Sequence, residues 1–179
     1  MKYVPYSELC DIPQDILTFL TNKFDNVTKT RVPNIGTSKG YYQWAMHKEI
    51  NDKEDNTYRP WLDDDMGIID DFFKQYVNRV FRFRFSLLKA PYCIDWHTKH
   101  EYPRIHIPLN ECDAVWELKE SEDSPVQIME PMVYGKAYLV DVTMLHRVVP
   151  NTTSVRRNAF FCFEELANLD LFFKHVQEV

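Results

Sequence analysis

The sequence predicts a mainly β fold, a β-sandwich or jelly roll with helices packed outside it. From Val80 onward apolar residues recur with a period of two, in eight short runs separated by turns. Ahead of them lie two stretches with the three-to-four-residue spacing of amphipathic helices. The third observation is compositional. Twelve Phe, 10 Tyr and 4 Trp stand beside only 4 Gly in 179 residues, which describes a densely filled core or an aromatic-lined pocket.

The first helix is expected over residues 13–23, where Pro13 suits the opening turn and Ile16, Leu17 and Leu20 form an apolar stripe. Residues 30–60 are rich in turn formers, among them Pro33, Gly36, Gly40 and Pro60, and are expected to cover or approach a site. Asp63, Asp64 and Asp65 then lead into Ile68, Ile69, Phe72, Phe73 and Tyr76, a second helix. Aspartates at its start suit the macrodipole and can cap free amides, while their spacing does not fit a calcium loop.

Beyond them Phe81, Phe83, Phe85 and Leu87 alternate with Arg82, Arg84 and Ser86, a strand with one apolar and one polar face. Further strands are expected at 93–97, 104–109, 115–118, 126–129, 137–141, 146–149 and 155–163, with a hairpin turn at 121–125 and a closing amphipathic helix at 168–177. A chain of this length forms one domain: a helical and loop flank over 1–79, a β core over 80–164 and a C-terminal helix over 165–179.

Charge narrows the partners. The 21 basic residues form no block longer than a pair, and the net charge is −6, so nucleic acid is not the expected main partner. No apolar run approaches the roughly 18 residues of a membrane span, and the first residues lack a signal-peptide pattern. Cys10, Cys93, Cys112 and Cys162 are scattered without CxxC spacing, as expected of reduced thiols in a cytoplasmic protein.

Four histidines lie in strand-rich stretches: His97, His100, His106 and His146. Two histidines on separate strands of a jelly roll can converge inside it on a divalent metal, although a lone strand histidine is more often a surface or hydrogen-bonded core residue. Trp96 and Tyr102 near the first of them suit either a substrate entrance or the aromatic core.

The sequence around these histidines is more specific. Cys-Ile-Asp-Trp-His at 93–97 is followed by Pro-Arg-Ile-His-Ile-Pro-Leu at 103–109, Gly-Lys-Ala-Tyr-Leu-Val-Asp at 135–141, and His146-Arg-Val-Val-Pro-Asn with Arg156 beyond. Over about residues 80–163 this resembles the aspartyl/asparaginyl β-hydroxylase family of Fe(II)- and 2-oxoglutarate-dependent oxygenases.

The resemblance implies a double-stranded β-helix, cupin-like in form, in which His97 and His146 are the catalytic residues that hold Fe(II). It implies that Ser86, Arg104, His106 and Arg156 bind the cosubstrate 2-oxoglutarate. The implied reaction uses O₂ to oxidise 2-oxoglutarate to succinate and CO₂ while hydroxylating an amino-acid side chain or small molecule, free or within a peptide. These assignments make chemical sense. Neutral imidazoles suit Fe(II), and the arginine fork of Arg156 matches a carboxylate as lysine cannot. Arg104 and His106, two apart on a strand, share one face.

Lys99 departs from the pattern, standing where most 2-oxoglutarate oxygenases place an acidic ligand and where the β-hydroxylases have glycine. Three arrangements stay open. Iron binds through the two histidines alone with Lys99 turned to solvent; Asp95 or His100 completes the site; or the chain is a non-catalytic jelly-roll module binding a carboxylate ligand. Arg157, beside Arg156, is the alternative inward arginine.

Overall fold

Alternation along a strand sorts side chains between two faces, and both faces of this protein's main sheet are in use. The computed structural model describes residues 6–48, 60–98, 103–150 and 155–163. Its elements are β1 (Tyr6–Asp11), α1 (Gln14–Thr30), β2 (Ile35–Ser38), β3 (Tyr41–Ala45), α2 (Gly67–Phe73), β4 (Phe81–Lys89), β5 (Ile94–His97), β6 (Arg104–Pro108), β7 (Val115–Lys119), β8 (Gln127–Ile128), β9 (Lys136–Val140), β10 (Leu145–Val149) and β11 (Val155–Cys162). A large sheet runs β1-β9-β6-β11-β4-β3-β2 and a smaller one β5-β10-β7-β8. Their pairings are antiparallel. The expected jelly-roll arrangement of strands is therefore present.

Phe83, Phe85, Ile105, Ile107, Leu139, Ala159 and Phe161 of the large sheet form one core cluster with the helices. Leu88, Tyr138 and Val140, which point the other way, form a second with Trp116, Leu118 and Val148 of the small sheet. The result is three layers: helices, large sheet, small sheet. Odd-numbered residues of the central strands lie under the helices and even-numbered ones face the small sheet, as a period of two requires.

Helix α1 buries Ile16, Leu17, Leu20, Phe24 and Val27. Full burial of side chains of this size is worth about 1.5–3 kcal/mol each. The helix outruns the expected 13–23 because the stripe continues through Phe24 and Val27 and no breaker intervenes before Pro33. The aspartates at 63–65 do not cap α2 or the 3-10 turn before it with their side chains. They tie that turn to α1 instead: Lys23 Nζ lies 2.7 Å from Asp65 Oδ1, and Arg31 Nη2 lies 2.5 Å from Asp63 Oδ1.

The stretch before Val80, expected to be helix and loop, contributes three strands. β2 and β3 form a hairpin that extends the large sheet beside β4. Tyr41, Tyr42 and Trp44 supply the β preference that the surrounding turn formers obscure. Gly40 turns the chain there with φ +77°, and a Cβ on it would fall 2.0 Å from the Tyr92 ring. The expected strand at 126–129 shortens to β8, after a turn closed by Ser124 N–H to the Ser121 carbonyl (3.2 Å). The helix expected at 168–177 lies outside the described residues. Among the described residues no helix is long and apolar enough to cross a membrane.

Phe161 joins the layers. Its ring lies 4.8 Å from Phe73 of α2 and 5.9 Å, stacked, from Phe83. Phe161→Ala is expected to cost about 3–5 kcal/mol of stability, read by urea denaturation. A loss below about 1 kcal/mol would mean that this aromatic layer does not hold the sheet to the helices.

Candidate metal and carboxylate site

Between the two sheets is a cavity of about 610 Å³. The even-numbered residues of the large sheet line it in register. Ser86 stands opposite Asn158, Leu88 opposite Arg156, and Arg84 and His106 flank Phe160 on either side. Strand β3 adds Tyr41 and Gln43, which pair with Leu88 and Ser86. From the small sheet come His97, His146 and Trp116. All six residues expected to act at a site therefore line this one cavity: His97, His146, Ser86, Arg104, His106 and Arg156.

His97 and His146 face one another across β5 and β10, with ring centroids 4.2 Å apart. Each ring is held by the carbonyl two residues before it. Nδ1 of His97 lies 2.6 Å from the Asp95 oxygen, and Nδ1 of His146 lies 2.7 Å from the Met144 oxygen. A carbonyl only accepts, so both Nδ1 atoms carry the proton, which in the neutral imidazole leaves the lone pair on Nε2. This is the tautomer a metal-ligating histidine needs, fixed by the backbone. No third His, Cys, Asp or Glu among the described residues joins them in a group able to hold a metal. Asp95 lines the cavity as its strand parity predicts, although the residue is exposed and its carboxylate takes the Cys93 thiol at 3.6 Å. Lys99 and His100 lie outside the described residues, as does Tyr102.

The opposite wall is built of donors. His106 is buried, and its Nδ1 accepts from Asn158 Nδ2 at 3.1 Å, which leaves the proton on Nε2. Burial first, then the charges of Arg156, Arg104 and His146, hold this imidazole well below its ordinary pKa. It is a neutral N–H donor. Arg156 is 6% exposed, and no described carboxylate pairs with it. Burial pulls its guanidinium below the ordinary arginine value, yet an arginine keeps its charge in a protein. Tyr41 has Ser86 as a side-chain hydrogen-bonding neighbour, and burial pushes its phenol up, so it too stays protonated.

The buried N–H groups that have no hydrogen-bond partner among the described residues include His106 Nε2, Trp116 Nε1 and Arg156 Nη2. Each such orphan costs about 1–3 kcal/mol. Donors of this kind, gathered round a buried cation, lack an anion. A carboxylate fits them.

Arg157 points the other way. Its Nη1 meets Asp25 Oδ1 of α1 at 3.2 Å and its guanidinium lies over Phe24, which makes Arg156 the inward arginine. Arg104 lies over the Phe160 ring at 5.2 Å, and Arg84 Nη1 donates to Gln43 Oε1 at 3.3 Å. Trp96 reaches the cavity's edge, with Lys119 and Arg147 over its ring. Sequence reasoning missed Tyr41, Gln43, Trp116 and Asn158. Asn158 was within reach of it, because it shares the inward face of β11 with Arg156.

No family model matches the chain, and no curated protein sequence matches it. Solved structures do. A 2OG-Fe(II) oxygenase family oxidoreductase from Burkholderia pseudomallei superposes with TM-score 0.60 at 12% identity, over 88% of this chain and 82% of that one. A prolyl hydroxylase from Trichoplax adhaerens, in complex with a hypoxia inducible factor peptide fragment, gives 0.60 at 11%, over 97% and 88%. The epimerase SnoN, solved with Fe3+ and alpha ketoglutarate, gives 0.57 at 8%, over 93% and 84%. At these identities the likeness is one of fold. The chain has the jelly-roll fold found in 2OG-Fe(II) oxygenases.

His106 provides a pH test. Its folded pKa lies below the ordinary 6.5, so the unfolded chain binds more protons beneath that pH. The stability it contributes is complete above 6.5 and falls as pH drops through that value. Nitrogen-15 NMR at pH 6 is expected to show a neutral His106 ring protonated at Nε2; a doubly protonated ring would contradict the donor wall.

Proposed function

We propose that the cavity binds iron(II) through Nε2 of His97 and His146 and 2-oxoglutarate through Arg156, Ser86, Arg104 and His106. The protein then acts as a 2-oxoglutarate-dependent oxygenase that hydroxylates an amino-acid side chain or small molecule. The observation that carries this reading is the pairing in one cavity of two imidazoles locked in the metal-binding tautomer with a wall of buried donors lacking an acceptor. The shared fold of known 2OG-Fe(II) oxygenases supports it. The motifs at 93–97, 103–109 and 146–156 favour the aspartyl/asparaginyl β-hydroxylase branch, where two histidines suffice for iron.

Bound iron supplies oxygen activation coupled to oxidation of 2-oxoglutarate to succinate and CO₂. The chain's own residues bind, orient and exclude water. Arg156 offers its fork to the distal carboxylate, with Ser86 and the Tyr41 phenol beside it. Neutral His106 offers its Nε2–H to the ligand as an uncharged donor. Phe160, Val142 and Val148 give the cavity apolar walls.

A second reading, carboxylate binding without turnover, is favoured by one observation: no third protein ligand stands with the histidine pair among the described residues. One experiment separates the two. Iron(II) and 2-oxoglutarate added without oxygen are expected to give the visible charge-transfer band of their chelate in the wild type and none in His97→Ala. Binding of 2-oxoglutarate with no band would leave the binding module in its place.

A further inference from the structure

Resting on that reading of the cavity, we propose that Trp116 is a further ligand-binding residue, its indole N–H donating to 2-oxoglutarate beside Arg156 and His106. Trp116 comes from β7 in the small sheet, outside the matched motifs. Its ring lies edge-on to His106 at 4.9 Å, tilted against His146 at 5.4 Å, and 5.8 Å from the Arg156 guanidinium. The side chain is buried, and Nε1 has no partner among the described residues.

An indole N–H only donates, and a buried one ordinarily finds an acceptor. The described side chains in contact with this ring offer none. Arg156 has donors only, and His106 carries its proton on Nε2 because Asn158 occupies Nδ1. The Asn158 Oδ1 atom is itself unpartnered, so it does not serve Trp116. The lone pair on His146 Nε2 belongs to the metal in the proposed site. The acceptor must therefore come with the ligand. A dicarboxylate with a keto group is rich in acceptors and has no competing donors. Trp116 would grip it from the small sheet while Arg156 and His106 grip it from the large one, so both sheets bind one molecule.

Calorimetry of 2-oxoglutarate binding to the iron(II)-loaded protein without oxygen tests this, with Arg156→Ala as the reference variant. Trp116→Phe keeps an aromatic ring and removes the N–H. Should it unfold, β-(3-benzothienyl)alanine at position 116 keeps the bicyclic shape and also lacks the N–H.

The expected result is a dissociation constant raised about tenfold or more in the benzothienyl protein and in Trp116→Phe, at unchanged thermal stability of the former. Wild-type affinity in the benzothienyl protein, with Arg156→Ala weakened, would overturn the role of Trp116 and leave the cavity reading intact. Unchanged affinity in Arg156→Ala, or no binding by the wild type, would overturn both.

Discussion

The alternation of side chains along the central strands of the large sheet is the constraint on which the rest of this structure depends. Along β11, Arg157, Ala159 and Phe161 turn to the helices, while Arg156, Asn158 and Phe160 turn to the cavity. A slip of one residue would bury Arg156 under α1 and push Phe161 into the site. The register is held from the outer side. Phe161 is clamped between Phe73 and Phe83, and Arg157 reaches Asp25 of α1. The aromatic layer thus does more than fill space, because it decides which side chains face the histidine pair.

The inner side is destabilised by the same arrangement. A buried guanidinium without a described carboxylate, a neutral histidine and an indole all present donors that nothing in the described chain accepts. Well-packed aromatics on the outer face offset that cost. Binding of an anion would recover it, stabilising the fold by about 2.7 kcal/mol at a ligand concentration one hundred times its dissociation constant. A cavity kept short of acceptors is a site preorganised for a ligand that brings them.

Much of this was legible in the chain before any coordinates. Period-two runs from Val80 marked the strands, and the order of Ser86, His97, Arg104, His106, His146 and Arg156 marked the residues that converge. What was hidden has physical reasons. Strands β2 and β3 sit among prolines and glycines, so their aromatic residues read as turns, and Tyr41 and Gln43 were lost with them. Trp116 carried no separate signal in the sequence, because burial and ligand contact select the same residue type; only its unpartnered N–H sets it apart. Asp95 was legible in position and not in its partner. Strand parity with His97 argued for an inward carboxylate, and Asp95 does line the cavity, but its carboxylate takes the Cys93 thiol and joins no metal-holding group among the described residues.

The central claim is that one face of the large sheet anchors a dicarboxylate against a metal held by the small sheet. A crystal structure grown without oxygen in the presence of iron(II) and 2-oxoglutarate tests it most directly. The account predicts iron on Nε2 of both His97 and His146 and a carboxylate of the ligand on Arg156. Iron bound away from either histidine, or 2-oxoglutarate seated away from Arg156, would contradict it.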